Sequence, residues 1–250
     1  MLFTNLIQTN LQTSFIGRNI EYFSFTNSTN DDAFELIANE NVQNGTIIIT
    51  DYQKKGRGRR ENKWFSTPGN NLTFSLILKK TSEYNLGLLS ILSGVAIIEG
   101  IERFTNIKCK LKWPNDIMLN QKKIGGILIE TKHNNPYLVI GIGININEQE
   151  VPAELESIAS SLRIENASPI QREPLLAFIL NQFENLYKEN KKICIPKWKE
   201  YCNHLNQKVK FNNKDGLIEG RFLDIDDNGN AIVDIKSKKV VISSGILEIL

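Results

Sequence analysis

The distribution of apolar and polar residues divides the chain at about residue 205. Before that point, apolar runs of strand length alternate with stretches of helical periodicity. Helices are predicted to begin near Ser28 and near Leu86, and a third is predicted through residues 175–187. The first 20 residues are expected to form a weakly specified lead-in. Strands are predicted over residues 21–26, 45–50, 71–78, 107–113, 123–130 and 137–147. This alternation is typical of an α/β (α+β) domain.

Residues 205–250 have a different pattern. Short strands of alternating apolar and polar residues follow one another, separated by the turn sequences NNKDG, DDNGN and KSK. Such a run of hairpins predicts a small closed β-barrel. No long Pro- or Ser-rich linker precedes it, so we expect the barrel to pack directly on a larger domain formed by residues 1–204.

Positive charge is concentrated in one short segment. Residues 54–63, the cationic loop, hold six basic side chains, one acidic side chain and no apolar side chain. The whole chain of 250 residues carries a net charge of only +2, so the remainder is slightly acidic. Because a general nucleic-acid-binding protein spreads its cations over a whole face, the cationic loop predicts a discrete pocket for an anion.

Cysteine and histidine are too few to support a structural metal centre. The chain has three cysteines with no C-x-x-C pair and two histidines, whereas a structural zinc site requires four nitrogen or sulfur ligands at short spacing. Free thiols in a reducing compartment are therefore expected. No secretory signal and no apolar run of membrane-spanning length is evident, which predicts a cytoplasmic protein that does not enter a membrane.

Two glycines of the cationic loop, Gly56 and Gly58, lie between basic residues. Glycine lets backbone N–H groups approach a phosphate, and arginine adds forked, charged donors. Neither the dinucleotide fingerprint nor the P-loop motif is complete in this chain. A solvated surface loop and an RNA-binding Arg/Gly segment therefore stay open as alternatives at this point.

Four stretches, one of which overlaps the cationic loop, resemble the motifs of biotin protein ligases when they are taken together and in order. The stretches are STN (28–30), GRGRRENKWFS (56–66), KWPNDI (112–117) with KKIGGIL (122–128), and GIGININ (141–147). The resemblance covers roughly residues 20–150, and residues 205–250 resemble the small SH3-like barrel of that family. It implies a catalytic domain related to class II aminoacyl-tRNA synthetases, with a mixed β-sheet backed by helices.

The resemblance also implies an activity. Members of this family use ATP and Mg²⁺ to convert biotin into biotinyl-5′-adenylate, and they then pass biotin to a lysine of a biotin carboxyl carrier domain. The first step brings a carboxylate onto the phosphorus of a polyanion, which calls for fixed cations and for no nucleophilic side chain. That chemistry agrees with a chain that has a cationic loop and no Ser/His/Asp arrangement.

Carried over position by position, the resemblance assigns roles to individual residues. Lys123 and Arg59 are the expected catalytic groups, and Asp116 is the expected ligand of Mg²⁺. Biotin contacts are expected from Ser28, Thr29, Asn30, Gln53, Gly56, Arg57, Gly58, Arg59, Lys123 and Gly126. Nucleotide contacts are expected from Arg59, Arg60, Trp64, Asn115, Asp116 and Asn145.

Each of these motifs also has an ordinary structural interpretation. Residues 28–30 could serve only as helix caps, and residues 114–116 could form only a turn after a strand. Lys123 could lie in solvent at the end of a hairpin. Gly141 and Gly143 could either leave room for biotin in an apolar slot or allow close packing of strands alone.

The cationic loop departs from the family in one respect. Glu61 and Asn62 stand where a second Gly-Arg pair is usual, so one expected phosphate donor is missing. The loop offers nothing to a hydrophobic core, and ordering each residue costs about 1–2 kcal/mol of backbone entropy. We therefore hypothesise that it is disordered in the free protein and closes over biotin or the adenylate, shielding a labile anhydride from water.

Two rival functions are carried forward. One is a lipoate or octanoate ligase of the same fold, and the other is a non-catalytic RNA-binding protein that uses the Arg/Gly loop. Fewer than 30 residues precede Ser28, which is too few for a helix-turn-helix domain, so no specific DNA binding is expected. Whether the protein forms a homodimer is left open.

Overall fold

The computed structural model describes residues 1–39, 42–189, 193–213 and 216–250. The strands of its larger sheet are β1 (Ile20–Phe23), β2 (Ile47–Thr50), β3 (Asn71–Lys79), β4 (Lys110–Lys112), β5 (Asp116–Leu119), β6 (Lys122–Thr131) and β7 (Tyr137–Asn145). They are arranged in the order β1-β2-β3-β7-β6-β5-β4. β1 and β2 are parallel, and the other described neighbours are antiparallel. The expected mixed sheet is therefore confirmed.

The helices are distributed unequally over this sheet. They are α1 (Thr4–Asn10), α2 (Thr29–Ala38), α3 (Leu86–Thr105), α4 (Leu162–Asn166), α5 (Arg172–Lys188) and α6 (Cys194–Tyr201). α3 and α5 pack against each other, and their apolar residues join one face of the sheet in the main hydrophobic core. α3 is buried along most of its length because leucine, isoleucine and small residues occupy nearly every side of it.

Alternate residues of β3 face opposite sides of the sheet. Phe74 and Leu76 point into the main core beneath α3 and α5. Because successive side chains of a strand point to opposite faces, Thr73 and Ser75 point away from that core. One strand therefore supplies an apolar face to the core and a polar face to the other side.

The opposite face of the sheet is covered only in part. α2 packs there in a second, smaller core formed by Ala33, Phe34, Ile37, Ile48, Ile77 and Val139. Next to this cluster the strands present polar residues and glycines, which cannot form an apolar core. The uncovered part becomes the floor of a pocket.

The C-terminal unit is a second antiparallel sheet. Its strands are β8 (Lys208–Asn213), β9 (Gly216–Ile225), β10 (Ala231–Ile235), β11 (Lys238–Ile242) and β12 (Ile246–Ile249). They follow the order β11-β10-β9-β8-β12. All five strands agree with the sequence pattern, but within the described ranges β11 and β12 do not pair with each other. The sheet is therefore open there, where a closed barrel was expected.

The two sheets share one continuous hydrophobic core. Trp113 and Phe211 meet edge to face with ring centroids 5.8 Å apart, and Trp113 Nε1 donates to the carbonyl oxygen of Gly229 at 2.9 Å. Buried residues of the C-terminal sheet belong to the same cluster as those of the larger sheet. This agrees with the expectation of direct packing without a linker.

The sequence pattern missed four elements, namely α1, β5, α4 and α6. The first 20 residues are not a weak lead-in, since α1 packs on α5, and Leu2, Ile7 and Ile16 are buried in the main core. α1 has only 7 residues, too few to give a clear periodicity, and its stability comes from tertiary packing. β4 is also shorter than predicted, because the chain enters the sheet only at Lys110.

Within the described residues, no helix is both long enough and apolar enough to span a bilayer. The same part of the chain holds no cluster of three or more His, Cys, Asp or Glu side chains that could bind a metal ion. All three cysteines are free. Burial raises the pKa of the Cys109 thiol to about 12, which makes that thiol unreactive.

Candidate active site

A pocket lies on the uncovered face of the larger sheet. β3, β6 and β7 form its floor, the cationic loop lies over it, and the turn between β4 and β5 and the start of β12 form a wall. All the residues assigned a role from sequence line this pocket except Gly56 and Asn145. Residues separated by about a hundred positions in the chain are thus brought to one place.

One end of the pocket is a closed network of neutral polar groups and one carboxylate. The backbone N–H and the hydroxyl of Thr29 lie 2.8 and 3.1 Å from Gln53 Oε1. Ser75 Oγ lies 2.7 Å from Thr29 Oγ1 and 2.6 Å from Asn30 Oδ1. Asn30 Nδ2 donates to Glu130 Oε2 at 2.6 Å. We call these five residues the polar cradle.

The first residues of α2 contribute side chains to the cradle. Ser28 is the N-cap residue and is buried, but its side chain makes no capping hydrogen bond. Thr29 and Asn30 enter the first turn with side chains directed into the cradle. The interpretation of this motif as helix caps alone is therefore wrong.

Glycines in the floor make room for pocket side chains. A Cβ atom at Gly141 would overlap the amide group of Asn30, and one at Gly143 would lie 2.5 Å from the ring of Trp64. Gly126 is less crowded, since a Cβ atom there would lie 3.3 Å from Lys123 Nζ. The glycines of β7 are thus required by side chains that lie over the sheet, in addition to any role in strand packing.

The opposite end of the pocket carries the catalytic lysine expected from sequence. Lys123 Nζ lies 2.5 Å from Asp116 Oδ1, so the lysine is not directed into open solvent. Its backbone is held by the segment after β7, because Lys123 N–H donates to Ile158 O at 2.8 Å and Ser160 N–H donates to Lys123 O at 2.9 Å. Both backbone polar groups of Lys123 are therefore held by the same segment, residues 158–160.

Arg59 lies beside this pair. Its guanidinium donates to Asn115 Oδ1 at 3.2 Å, and Asn115 Nδ2 in turn donates to the carbonyl oxygen of Ile127 at 2.8 Å. Burial, followed by the charge of Arg60, lowers the pKa of Arg59, and Asp116 opposes this shift. The turn at residues 114–116 therefore positions an arginine as well as connecting two strands. Lys123, Arg59 and Asp116 are called the cation cluster below.

Arg57 and Arg60 anchor the cationic loop on opposite sides. Arg57 makes two hydrogen bonds of 2.6 Å to Asp31 and lies 3.5 Å from Glu130. The hydrogen bond to Asp31 raises the pKa of Arg57, and the same bond lowers the pKa of Asp31. Arg60 donates to the carbonyl oxygen of Asn212 at 3.0 Å, which ties the loop to the C-terminal sheet.

Trp64 lies across the middle of the pocket. Its ring packs over Gly143, and its Nε1 is buried without a hydrogen-bond partner. Asn145 lies two residues further along β7. Its Nδ2 donates to Ser160 O at 2.9 Å. Its buried Oδ1 has no hydrogen-bond partner among the described residues. Buried polar atoms of native proteins normally have partners, so these two atoms mark places where a ligand could bind.

Four residues of the pocket region were missed from sequence, namely Asp31, Thr73, Ser75 and Glu130. A signal for two of them exists in β3, where polar residues recur at Asn71, Thr73 and Ser75 within an otherwise apolar strand. All three are buried, and a polar stripe of period two in a buried strand indicates a lined cavity on that face. Nothing comparable in the sequence points to Asp31 or Glu130.

Two family models match the chain. The model of the biotin/lipoate A/B protein ligase family covers residues 22–147, and the biotin protein ligase C-terminal domain covers residues 204–249. The chain belongs to the biotin/lipoate A/B protein ligase family. It is therefore an enzyme of the ligase class, and the resemblance inferred from its four motifs is confirmed.

Relatives with curated names agree with this assignment. The bifunctional ligase/repressor BirA of Bacillus spizizenii is 33% identical over 97% of this chain and 78% of that protein. The biotin–[acetyl-CoA-carboxylase] ligase of Mycobacterium tuberculosis is 25% identical over 91% of this chain and 88% of that protein. The biotin protein ligase from Aquifex aeolicus, solved in complex with biotin and ATP, aligns with a TM-score of 0.83 and 29% identity, covering 92% of this chain and 98% of that one.

The two matched regions of this ligase family member meet at the pocket. The cradle and the cation cluster belong to the region matched by the ligase family, and Gly245, Ile246 and Leu247 of the wall belong to the C-terminal domain. The C-terminal sheet is therefore part of the pocket and not a remote appendage.

Proposed function

We propose that this chain is an ATP-dependent biotin protein ligase, which forms biotinyl-5′-adenylate and transfers biotin to a lysine of a biotin carboxyl carrier domain. The observation that carries the proposal is the pairing of a polar cradle, whose groups are neutral except for Glu130, with a cation cluster at the two ends of one pocket. Biotin has matching ends, since a neutral ureido group lies at one end and a carboxylate at the other. We further propose residues 1–204 as the catalytic domain and residues 205–250 as the C-terminal domain.

The cradle suits the ureido group because both have donors and acceptors at short spacing. A ureido group offers two N–H donors and one carbonyl acceptor, and Ser, Thr, Asn and Gln side chains can supply either partner. The hydroxyl and amide groups of the cradle are bonded to one another in the structure, so a ureido group can join or replace these contacts, whereas an apolar ligand end would disturb them without offering a new partner. This favours biotin over lipoate or octanoate, which have no neutral polar group at that end.

The cation cluster suits the adenylation step. In that step a carboxylate oxygen of biotin attacks the α-phosphorus of ATP, and pyrophosphate leaves with its bonding electrons. Lys123 can exchange its contact with Asp116 for the biotin carboxylate and the α-phosphate, which relieves their mutual repulsion. Arg59 adds a second positive charge in a half-buried site, where electrostatic stabilisation is stronger than in water.

The nucleotide side is supported by the unpartnered atoms described above. Asn145 Oδ1 can accept from an amino or hydroxyl group of the nucleotide, and Trp64 Nε1 can donate to an acceptor atom. Trp64 also separates this side from the cradle, which would keep the two substrates in adjacent compartments.

Asp116 fits the role of a Mg²⁺ ligand. Among the described residues, Asp116 lines the pocket whereas Glu130 of the cradle is not a lining residue, and magnesium at nucleotide sites is usually held by one or two carboxylates together with phosphate oxygens. When bound, Mg²⁺ would neutralise charge on the phosphates of ATP. Asp116 would hold the metal only if Lys123 gave up its present contact with Asp116 Oδ1.

The second step needs no nucleophile from this chain. The amine of the acceptor lysine attacks the carbonyl carbon of the adenylate, AMP leaves, and an amide bond forms. The contribution of the ligase is to hold the adenylate out of water until the carrier arrives, which is the role proposed for the cationic loop.

The decisive experiment measures pyrophosphate release from ATP. The purified chain should release pyrophosphate on addition of biotin, ATP and Mg²⁺, and should then label a biotin carboxyl carrier domain but not its Lys→Arg variant. Lipoate in place of biotin tests the rival ligase, and tight, salt-sensitive RNA binding without pyrophosphate release would favour the RNA-binding alternative. Absence of pyrophosphate release with biotin would overturn the proposal.

A further inference from the structure

The middle of the pocket contains a hydroxyl group that the assignments above do not use. Thr73 of β3 lines the pocket, is 4% exposed, and its Oγ1 atom is buried without a hydrogen-bond partner. The hydrogen bonds of the cradle and the contacts of the cation cluster therefore do not include it. Buried hydroxyl groups normally have a hydrogen-bond partner, so a ligand atom is the expected partner of this one.

Three polar neighbours of Thr73 on β2 and β3 have hydrogen-bond partners among the described residues. Asn71 donates to Glu148 Oε1 at 2.5 Å, and Ser75 is bonded within the cradle. Thr50, directly opposite Thr73 on β2, has its hydroxyl 3.1 Å from the carbonyl oxygen of Tyr52. Thr73 thus differs from these three neighbours and joins Trp64 and Asn145, whose buried polar atoms also have no partner among the described residues.

The register of the sheet places Thr73 between the two ends of the pocket. Thr73 pairs with Gly143, while Ser75 of the cradle pairs with Gly141. Residues on the same face of a strand are separated by about 6.6 Å, so Thr73 lies one such step from the cradle toward the nucleotide side. Gly143, its partner, has no side chain, and the ring of Trp64 packs over it.

We propose that Thr73 is a specificity-determining residue whose hydroxyl donates a hydrogen bond to the ring sulfur of bound biotin. This inference rests on the proposed function. In biotin the sulfur lies on the far side of the fused rings from the ureido carbonyl. If the ureido group occupies the cradle and the carboxylate lies near Lys123, the sulfur lies in the middle of the pocket. A thioether sulfur is a weak acceptor, which suits a donor that has no stronger competitor.

Thr73→Val removes the hydroxyl and keeps the branched shape of the side chain. Binding of biotin and of desthiobiotin, which lacks the sulfur, is measured by isothermal titration to the wild type and to this variant. We expect the dissociation constant for biotin to rise about three- to tenfold, the effect of one net hydrogen bond. The constant for desthiobiotin should stay within about twofold, since no sulfur is present to lose a partner.

Two further variants separate this contact from structural effects. Thr73→Ser keeps the hydroxyl and should preserve the wild-type preference for biotin over desthiobiotin. Thr50→Val removes the partnered hydroxyl on the opposite strand, so it should lower the melting temperature and leave that preference unchanged. Thr73→Val should instead raise the melting temperature of the ligand-free protein, because it removes a buried donor without a partner.

The outcomes distinguish failure of this inference from failure of the proposed function. If the wild type binds neither compound, the proposed function and this inference both fall. If the wild type binds biotin but Thr73→Val weakens both compounds equally, or weakens neither, only the inference is overturned. A loss of preference in Thr73→Val that Thr73→Ser restores would support it.

Discussion

The two ends of the pocket are built on opposite principles. In the cradle, Thr29, Asn30 and Ser75 are bonded to one another or to neighbouring side chains within a buried network. In the cation cluster, Lys123 and Arg59 each have a described side-chain partner in the turn at residues 114–116. The hydrogen bonds of the cradle are already formed in the ligand-free protein. The charged side chains of the cation cluster are held by protein contacts that a substrate can replace.

Under the proposed function, this difference follows from what each end would bind. A neutral ligand group gains specificity from a rigid arrangement of donors and acceptors, since reorganisation would reduce its binding free energy. Anions that react with each other require charge stabilisation that grows toward the transition state. We therefore expect changes in the cradle to affect binding and folding, and changes in the cation cluster to affect chemical rate.

The largest effect is expected from Lys123→Ala. Loss of a fixed charge at the reacting atoms should lower the rate of biotin-dependent pyrophosphate release by about 100- to 1,000-fold, by analogy with the loss of one stabilising donor in other active sites. The free energy of unfolding should change little, because partly exposed ion pairs contribute little to stability. Lys122→Ala, the adjacent lysine of β6, is the control. An equal loss in both variants would contradict the role of Lys123.

Asn30→Ala tests the other end of the comparison. Buried Ser75 and half-buried Glu130 would each lose a partner, so we expect the free energy of unfolding to fall by about 1–3 kcal/mol. The dissociation constant for biotin should rise about 10- to 100-fold for the same reason. Urea denaturation and isothermal titration measure the two effects, with the exposed Asn27→Ala as control. A variant with wild-type stability and affinity would show that the cradle is not a network.

Glu148 lies behind the nucleotide side of the pocket, where Asn71 donates to it at 2.5 Å. Burial raises the pKa of Glu148 from 4.5 to about 7. The folded protein therefore binds the proton more tightly than the unfolded chain does. The stability contributed by this group is complete below about pH 4.5 and is lost as the pH rises through 7.

Glu148→Gln keeps a neutral side chain at every pH. Relative to the wild type, its free energy of unfolding should therefore rise between pH 4.5 and 7, by about 2–3 kcal/mol at the upper end. Urea denaturation across this range measures the difference, and the exposed Glu150→Gln should give a flat profile. A constant difference between Glu148→Gln and the wild type at all pH values would rule out the burial effect.

The smallest effect concerns the contact between Arg57 of the cationic loop and Asp31 of α2. Asp31→Asn removes a partly exposed pair worth about 0.2–1 kcal/mol, so trypsin should cut residues 54–63 of the free protein roughly two- to fivefold faster. If the loop closes over biotin and ATP, adding these ligands should slow cleavage of both the variant and the wild type. Cleavage at the same rate with and without ligands would end the hypothesis of loop closure.

The larger elements could be predicted from sequence because their patterns are local. β2 and β3 are apolar runs of strand length, and α3 is a long apolar helix with an Asn85 cap. α1 and α4 could not be predicted, since helices of 7 and 5 residues carry too few positions to establish a period. β5 was taken for part of a turn because Pro114 and Asn115 are strong turn formers next to a short strand.

The residues of the site likewise fall into those that the sequence predicts and those that it does not. The motifs give Lys123, Arg59 and the Ser28–Asn30 segment, because their spacing along the chain is distinctive. The partners of these residues are remote in sequence, as Glu130 is from Asn30 and Asp31 is from Arg57. A hydrogen bond between distant residues leaves no periodic trace in the chain, so it is visible only once the sheet has brought them together.

By itself, the sequence determined the succession of strands and helices, the concentration of charge in one loop, and the family to which this ligase belongs. The tertiary structure alone decided that Asp116 holds Lys123, that Ser75 completes the cradle, and that the hydroxyl of Thr73 is left unpaired. Local sequence patterns indicate buried faces and turns, because these depend on residues that are close together in the chain. The chemistry of a pocket depends on which remote residues the strand register places side by side.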